Sequence, residues 1–212
     1  MQGREVLIAV TGGIAAYKTA ALVSQLTQAG VGVSVIMTRS ATKLVTPKMF
    51  EALSGRPVLT AVFGRGSHPH IDTSRKAELL CVAPATANIV AKAALGLADE
   101  IVSTVLLAFD GPIIFAPAMN VQMWAKPAVQ RNIAQLQADG MVIIDPESGH
   151  LSCGEVGIGR MAEPETIFKV IAEELRKLKE EKEPQDQSLE PRMEHRLNTD
   201  RKEPPPADEI SE

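Results

Sequence analysis

Short, uninterrupted apolar runs constrain the fold of this 212-residue chain more than any other feature. They lack the polar–apolar alternation of a strand with one wet face, so both faces of each strand are expected to be covered. The runs are VLIAV (6–10), VGVSVIM (31–37), LLCVAPA (79–85), PIIFAPA (112–118) and MVIID (141–145). The pattern predicts a buried, mainly parallel sheet.

Helical patterns lie between the runs and after the last one. Apolar side chains recur at helical spacing before Gly30, which is placed to end that helix, and again after the last run. The two stripes are Ala15, Thr19, Leu22, Val23 and Leu26, and Ile167, Val170, Ile171, Leu175 and Leu178. Strands alternating with helices predict an α/β class, with a doubly wound, Rossmann-like single domain over residues 1–179.

Residues 180–212 differ from the rest of the chain in composition. They carry 11 acidic and 5 basic residues, five of the 14 prolines and no aromatic residue. Such a segment buries too little apolar surface to fold alone, so we expect a disordered, solvating tail, with a partner-binding tail as the alternative. Residues 1–179 are nearly neutral and have no basic stripe with interleaved aromatics, which argues against nucleic acid as a partner.

The two cysteines, Cys81 and Cys153, fit neither a disulfide scaffold nor a zinc spacing, which favours a reduced compartment and no metal. The start lacks a secretory signal, and no apolar run reaches the roughly 18 residues of a membrane span. We therefore expect a cytoplasmic protein that binds no membrane. Cys81 lies inside an apolar run and is expected in the core.

Cys153 lies in a different setting, the segment SCGEVGIGRM (152–161) with its three glycines. Glycine carries the largest backbone entropy cost, so this segment is expected to be a loop that moves or turns sharply. A free thiol has a pKa of roughly 8.5 and is mostly protonated at neutral pH. Cys153 is therefore a candidate proton donor.

Three polar segments follow strands at the edge where doubly wound sheets bind ligands. They are TGGIAAYK (11–18), PATAN (84–88) and PAMNVQMW (117–124). The glycine pair before a helix favours a mononucleotide phosphate, since the G-x-G-x-x-G spacing is absent, although a tight turn without ligand fits as well. Thr38 and Ser40 offer hydroxyls on the same rim.

Several polar residues in these segments have more than one interpretation. Thr86 and Asn120 can each cap the helix that follows, and Asn120 can instead direct its amide at a substrate carboxylate. Met119, Met123 and Trp124 can simply pack. His68 and His70, in SHPHID (67–72), are candidate proton carriers that the pattern alone does not separate.

Five motifs, in order along residues 5–178, resemble those of the homo-oligomeric flavin-containing cysteine decarboxylases. They are GGIAAYK, HID, PATAN, PAMNVQMW and SCGEVGIGRM. The resemblance implies a flavoprotein fold and an FMN held by Gly13, Ile14, Ala15, Thr38, Ser40, Thr86, Ala87, Asn88 and Ala118. It assigns an active-site histidine to His70, carboxylate binding to Asn120, and product protonation to Cys153 on a glycine-rich flap. The substrate site implied is Asn120, Met123, Leu151, Ser152 and Gly154.

The family resemblance also implies a small-molecule substrate and a homo-oligomer, commonly a trimer or a multiple of it, in which the histidine reaches a neighbour's flavin. Many bacterial members fuse this domain to a ligase, and we expect that enzyme to be a separate chain here. The alternatives are a decarboxylase of peptides ending in cysteine, a flavin prenyltransferase and a non-enzymatic phosphatase regulator. The asparagine–cysteine combination disfavours the prenyltransferase, and the mixed charge of the tail disfavours the regulator.

Overall fold

The computed structural model describes residues 1–62, 69–151 and 154–182, with the backbone alone at 69–72 and 181–182. The strands are β1 (Glu5–Val10), β2 (Gly32–Met37), β3 (Leu79–Ala85), β4 (Ile113–Pro117), β5 (Val142–Ile143), β6 (Glu147–His150) and β7 (Val156–Arg160). The helices are α1 (Ala16–Gln28), α2 (Pro47–Ser54), α3 (Pro69–Lys76), α4 (Ala87–Ala94), α5 (Ile101–Ala108), α6 (Val121–Trp124), α7 (Pro127–Ala138) and α8 (Pro164–Lys182).

Strands β1–β5 form one parallel sheet in the order β2-β1-β3-β4-β5. The chain thus builds outwards in one direction from β1 to β2 and in the other from β3 to β5. This order places the topological switch point between β1 and β3, where ligands bind in such sheets. The predicted doubly wound α/β class is confirmed.

The core lies on both faces of this sheet, as the unbroken apolar runs predict. Val6, Ile8 and Val10 of β1 face a cluster completed by α1, α2 and α8. Leu7 and Ala9 face the opposite cluster, which α4, α5 and α7 complete. Parallel strands covered in this way gain hydrophobic burial on two sides, which is why polar residues are nearly absent from them.

Helix boundaries follow local capping chemistry. Gly30 follows the end of α1 with φ +77, a left-handed conformation that glycine adopts without strain, as predicted. Thr46 caps α2 by accepting from the Met49 N–H, ahead of a proline at the first helical position. The Glu100 carboxylate caps α5 and Ser103 returns the bond, forming a capping box.

The predicted domain boundary after residue 179 falls inside a helix. Helix α8 continues to Lys182, and an Arg176–Glu180 pair at 3.1 Å supports its last turns. Residues 183–212 lie outside the described part of the chain, so the disorder expected there stays a prediction. Within that part, no helix combines the length and apolarity that crossing a bilayer demands.

Candidate functional site

The connections after β1, β2 and β3 meet at the carboxyl edge of the sheet. A Cβ at Gly12 would lie 2.4 Å from the Ser40 Cβ, and one at Gly13 would lie 3.2 Å from the Pro84 side chain. Only glycine lets the first connection pass this close to the other two. The glycine pair of TGGIAAYK is therefore required for backbone approach.

A buried hydroxyl joins the connections after β1 and β3. Thr11 is 1% exposed. Its Oγ1 donates to the Pro84 carbonyl at 2.6 Å and accepts from the Thr86 N–H at 3.3 Å. Thr86 in turn caps α4 by accepting from the Ile89 N–H, as predicted. The two connections form one hydrogen-bonded rim.

Two adjoining clefts, of about 590 and 420 Å³, open at this rim and share Gly12, Thr86, Ala87 and Met123. The larger cleft is lined by the predicted cofactor residues Gly13, Ile14, Ala15 and Ala118, and the smaller by Thr38, Ser40 and Asn88. With the shared Thr86 and Ala87, all nine predicted cofactor residues line one continuous depression. Its volume is in the range of small-molecule sites.

Asn120, Met123 and Leu151, which the resemblance assigns to substrate, also line the larger cleft. The Asn120 Oδ1 accepts from the Met123 N–H at 2.7 Å and so caps α6. That bond uses the carbonyl end of the amide and leaves both Nδ2 hydrogens for a ligand. The two predicted roles of Asn120, helix cap and carboxylate donor, are therefore compatible.

The loop prediction for the glycine-rich segment is wrong over residues 156–160, which form strand β7 of an antiparallel hairpin with β6. Gly154, exposed and with φ +87, makes the turn. Gly157 and Gly159 instead lie against the segment that carries Asn120. A Cβ at Gly159 would be 2.3 Å from the Met119 carbonyl oxygen, and one at Gly157 would be 2.8 Å from Val121.

Hairpin β6–β7 is also hydrogen-bonded to the segment that carries Asn120, because the Met119 N–H donates to the Gly159 carbonyl at 3.0 Å. These two strand glycines therefore serve close packing, and only Gly154 serves the sharp turn. The sequence predicted a loop that moves or turns sharply for all three glycines, because the packing partner of Gly157 and Gly159, near Met119, is remote in the chain.

An ion-pair cluster at the base of the hairpin was not predicted. The Lys18 Nζ lies 2.9 Å from the Glu163 Oε1, and the Arg160 guanidinium bonds both Glu163 and, at 3.2 Å, Glu147. The hydrogen bond from Lys18 holds the pKa of the Glu163 carboxyl below its usual value. Lys18 and Arg160 themselves line the larger cleft.

The structure describes the remaining histidine, serine and cysteine candidates to different extents. His70 lies on α3, where only its backbone is described. His68, Ser152 and Cys153 lie outside the described residues. Cys81 is fully buried in β3, as predicted, and burial raises the pKa of its thiol to about 12.

His150, which precedes the glycine-rich segment, is the last residue of β6 and lines the larger cleft. In the described part of the chain, no group of three or more His, Cys, Asp or Glu side chains is arranged to hold a metal.

Comparison with known proteins places these features in one family. The profile of the flavoprotein family matches residues 1–176. The coenzyme A biosynthesis bifunctional protein CoaBC of Bacillus subtilis is 50% identical over 174 residues, which are 80% of this chain and 43% of that protein. The CoaBC protein of Vibrio vulnificus is 42% identical, and the chain spans 42% of its length. The chain thus spans about two fifths of these curated relatives.

Solved structures agree. A Cys-to-Ser mutant of PPC decarboxylase complexed with pantothenoylaminoethenethiol has a TM-score of 0.71 and 29% identity, covering 80% of this chain and 96% of that one. The FMN-dependent cysteine decarboxylase SpaF has a TM-score of 0.66 and 35% identity, covering 74% of this chain and 90% of that one. The chain belongs to the flavoprotein family, and the family predicted from the five motifs is confirmed.

Proposed function

We propose that this chain binds FMN and decarboxylates phosphopantothenoylcysteine to 4′-phosphopantetheine, a step of coenzyme A biosynthesis. The observation that carries the proposal is the single depression in which the Asn120 amide and nine predicted cofactor residues lie together. The names of the CoaBC relatives and of the PPC decarboxylase structure support the substrate. A cytoplasmic location is proposed on the same grounds.

The residues present fit FMN. Gly12 and Gly13 leave the space that a Cβ would fill, so backbone N–H groups at the start of α1 can approach a phosphate. Thr38, Ser40 and Thr86 add hydroxyl donors in the smaller cleft. The helix dipole of the 13-residue α1 favours an anion at the same end.

A carboxylate on an ordinary amino-acid carbon has no electron sink, so loss of CO₂ needs a temporary one. When bound, FMN would supply it by taking two electrons from the cysteinyl thiol, giving a thioaldehyde, and by returning them as a hydride after CO₂ has left. The reaction has no net redox change. The chain's own task is to hold the carboxylate and to deliver one proton at the end.

Asn120 is proposed to hold the substrate carboxylate through its Nδ2 hydrogens, because Oδ1 is occupied by the α6 cap. The cap also fixes the rotamer of the amide, so the donor is oriented before the substrate arrives. Met123 and Leu151 line the same cleft and would exclude water from the reacting carbon.

Cys153 is proposed to supply the final proton, and His70 to act in the site, reaching it from a neighbouring subunit of a trimer or a multiple of one. The hairpin β6–β7 carries the connection to which Cys153 belongs, and it is bonded to the Met119–Asn120 segment. This arrangement supports a shared position for Cys153 and Asn120 around one substrate.

The product mass of Cys153→Ser tests the proposal. A serine hydroxyl is a much weaker acid than a thiol, so oxidation and CO₂ release should proceed while the last proton transfer stalls. We expect an enethiol product two mass units lighter than the normal product, with yellow flavin absorbance bleached until oxygen is admitted. Cys81→Ser, at a buried core position, is the control and should give the normal mass.

Two results would contradict this. Normal product from Cys153→Ser at near the wild-type rate would assign the proton to another group. A purified protein that is colourless and takes up no added FMN would refute the function itself.

The shared site can be tested with mixed oligomers. His70→Asn and Asn120→Asp subunits are each expected to be inactive, and mixing them should restore part of the activity if the two residues complete one site from different chains. No recovery in oligomers shown by mass to be mixed would place both residues of a site on one chain.

A further inference from the structure

The charged side chains that line the larger cleft are those of Lys18 and Arg160, and both are cations. Lys18, His150 and Arg160 contribute to its wall, and no carboxylate does so among the residues described. From this we infer that Lys18 and Arg160 form an anion subsite that binds the phosphate end of the substrate. The inference rests on the proposed function, and it names the residues that select a phosphorylated substrate.

The two carboxylates that pair with these cations, Glu147 and Glu163, are not among the residues that line the cleft. Glu163 bonds both Lys18 and Arg160, and Glu147 pairs with Arg160 across the base of the hairpin. Glu147 also accepts from the Glu163 backbone N–H at 3.2 Å, which ties its carboxylate to the backbone of Glu163. Counter-ions placed in this way hold flexible cationic side chains in position and lower the entropy that a ligand must overcome to bind them.

Each cation keeps donors for a ligand. The Arg160 Nη2 makes both carboxylate bonds, while its Nε is buried without a hydrogen-bond partner in the described residues. A buried donor left unsatisfied is unfavourable, so an acceptor is expected to arrive from outside the chain. A guanidinium presents its donors in a fork that matches a phosphate, and the Lys18 ammonium adds a point charge beside it.

The position of the pair assigns it to the substrate. Asn120, proposed for the carboxylate, lines the same cleft as Lys18 and Arg160, so one elongated substrate with a carboxylate and a phosphate can contact all three. The hydroxyls of Thr38 and Ser40, suited to the phosphate of FMN, line the other cleft. The two clefts therefore offer one phosphate site each.

The subsite separates the two substrates that the motifs leave open. A peptide ending in cysteine has the carboxylate and the thiol but no phosphate, and it would supply no acceptor to the donors of Lys18 and Arg160 that Glu147 and Glu163 leave free. Loss of one charge-assisted hydrogen bond reduces affinity by about 10- to 100-fold, which is a useful margin of selection.

The test compares one substrate with and without its phosphate. Phosphopantothenoylcysteine and pantothenoylcysteine are assayed with the wild-type holoenzyme, Lys18→Gln, Arg160→Gln and Glu163→Gln. We expect KM for the phosphorylated compound to rise about 10- to 100-fold in the first two variants, with kcat and the unphosphorylated reaction within about twofold of wild type. Glu163→Gln keeps both cations but removes the counter-ion that positions them, so its preference for phosphate should be weaker than that of wild type and stronger than that of the Lys18 and Arg160 variants.

Arg176→Gln removes an exposed arginine of another ion pair, on α8, and is the matched control. Equal losses with both substrates in the Lys18 and Arg160 variants would show that the cations only hold the hairpin, and would overturn the subsite. Loss of flavin absorbance from either variant would assign the pair to the cofactor and overturn it too.

A binding measurement keeps the subsite testable apart from turnover. Titration calorimetry with 4′-phosphopantothenate and with pantothenate should show tighter binding of the phosphorylated compound to wild type, and no such difference in Arg160→Gln. Failure of wild type to decarboxylate either substrate would refute the proposed function, while this titration would still decide the subsite. Equal affinity of wild type for the two ligands would refute the subsite alone.

Discussion

Replacing Gly159 with alanine should disturb both the stability of the fold and the placement of Asn120. Gly159 is buried in β7 with φ +146, and its carbonyl accepts from the Met119 N–H at 3.0 Å. An added Cβ would be 2.3 Å from the Met119 oxygen and 3.4 Å from the Asn120 carbonyl carbon. The hairpin and the Asn120 segment would have to move apart.

Two terms set the size of the effect. Holding alanine at a backbone conformation that L-residues rarely adopt costs about 1–3 kcal/mol. Forcing a methyl into filled space costs about 1–3 kcal/mol more, because the obstacle is backbone and cannot swing aside. We expect Gly159→Ala to lower the free energy of unfolding by about 2–6 kcal/mol, or the Tm by about 4–24 °C for a domain of this size.

Gly140→Ala is the matched control, since Gly140 has φ +84 and nothing within 4 Å of an added Cβ. Gly140→Ala should show only the cost of holding alanine in a left-handed backbone conformation, about 1–2 kcal/mol of unfolding free energy. Urea unfolding followed by circular dichroism, at equal protein concentration, gives both values. If Gly159→Ala is no more destabilising than Gly140→Ala, the contact with Met119 does not constrain the hairpin and the packing argument is wrong.

Three further outcomes are expected. The hydrogen bond from Arg56, at 2.9 Å, lowers the Glu5 pKa from 4.5, so the pair stabilises the fold above about that pH and the benefit disappears as pH falls through the lowered pKa. Glu5→Gln should therefore lower the free energy of unfolding by at most about 1 kcal/mol at neutral pH, since the pair is partly exposed. Below the lowered pKa of Glu5, the acid-melting curves of this variant and of wild type should coincide. With the Cys81 pKa near 12, the folded Cys153→Ser variant should not react with a thiol reagent until it unfolds, and prompt labelling would contradict the buried assignment. Removing residues 183–212 should leave the Tm within about 2 °C, and a larger fall would show that the tail docks on the domain.

The strands were predictable because a doubly covered strand is apolar at every position. Runs 6–10, 79–85 and 112–118 agree with β1, β3 and β4 within one residue at each end. The strand predicted over 141–145 was too long, since only Val142 and Ile143 pair with β4 at the open edge of the sheet. Helix α5 could not be recognised from the sequence. Most of its residues are buried, so it shows no polar stripe that would distinguish it from a strand.

The residues that the resemblance assigns to FMN directly follow strand ends, so their location at the carboxyl edge of the sheet was predictable, while their role stays a prediction. The cation pair was not predictable, because it depends on distant contacts. Lys18 and its partner Glu163 are 145 residues apart in the chain, and no local pattern reports that distance. The strand glycines were misassigned for the same reason, since their packing partner lies near Met119.

The Thr11 hydroxyl has an evolutionary consequence. It serves Pro84 and Thr86 at once, so a change to valine at this position would remove a donor and an acceptor from the buried rim together. Both bonds go to backbone groups, so a side-chain substitution at position 86 does not compensate for loss of the Thr11 hydroxyl. Among related sequences position 11 is therefore expected to hold threonine or serine, because serine also keeps the hydroxyl.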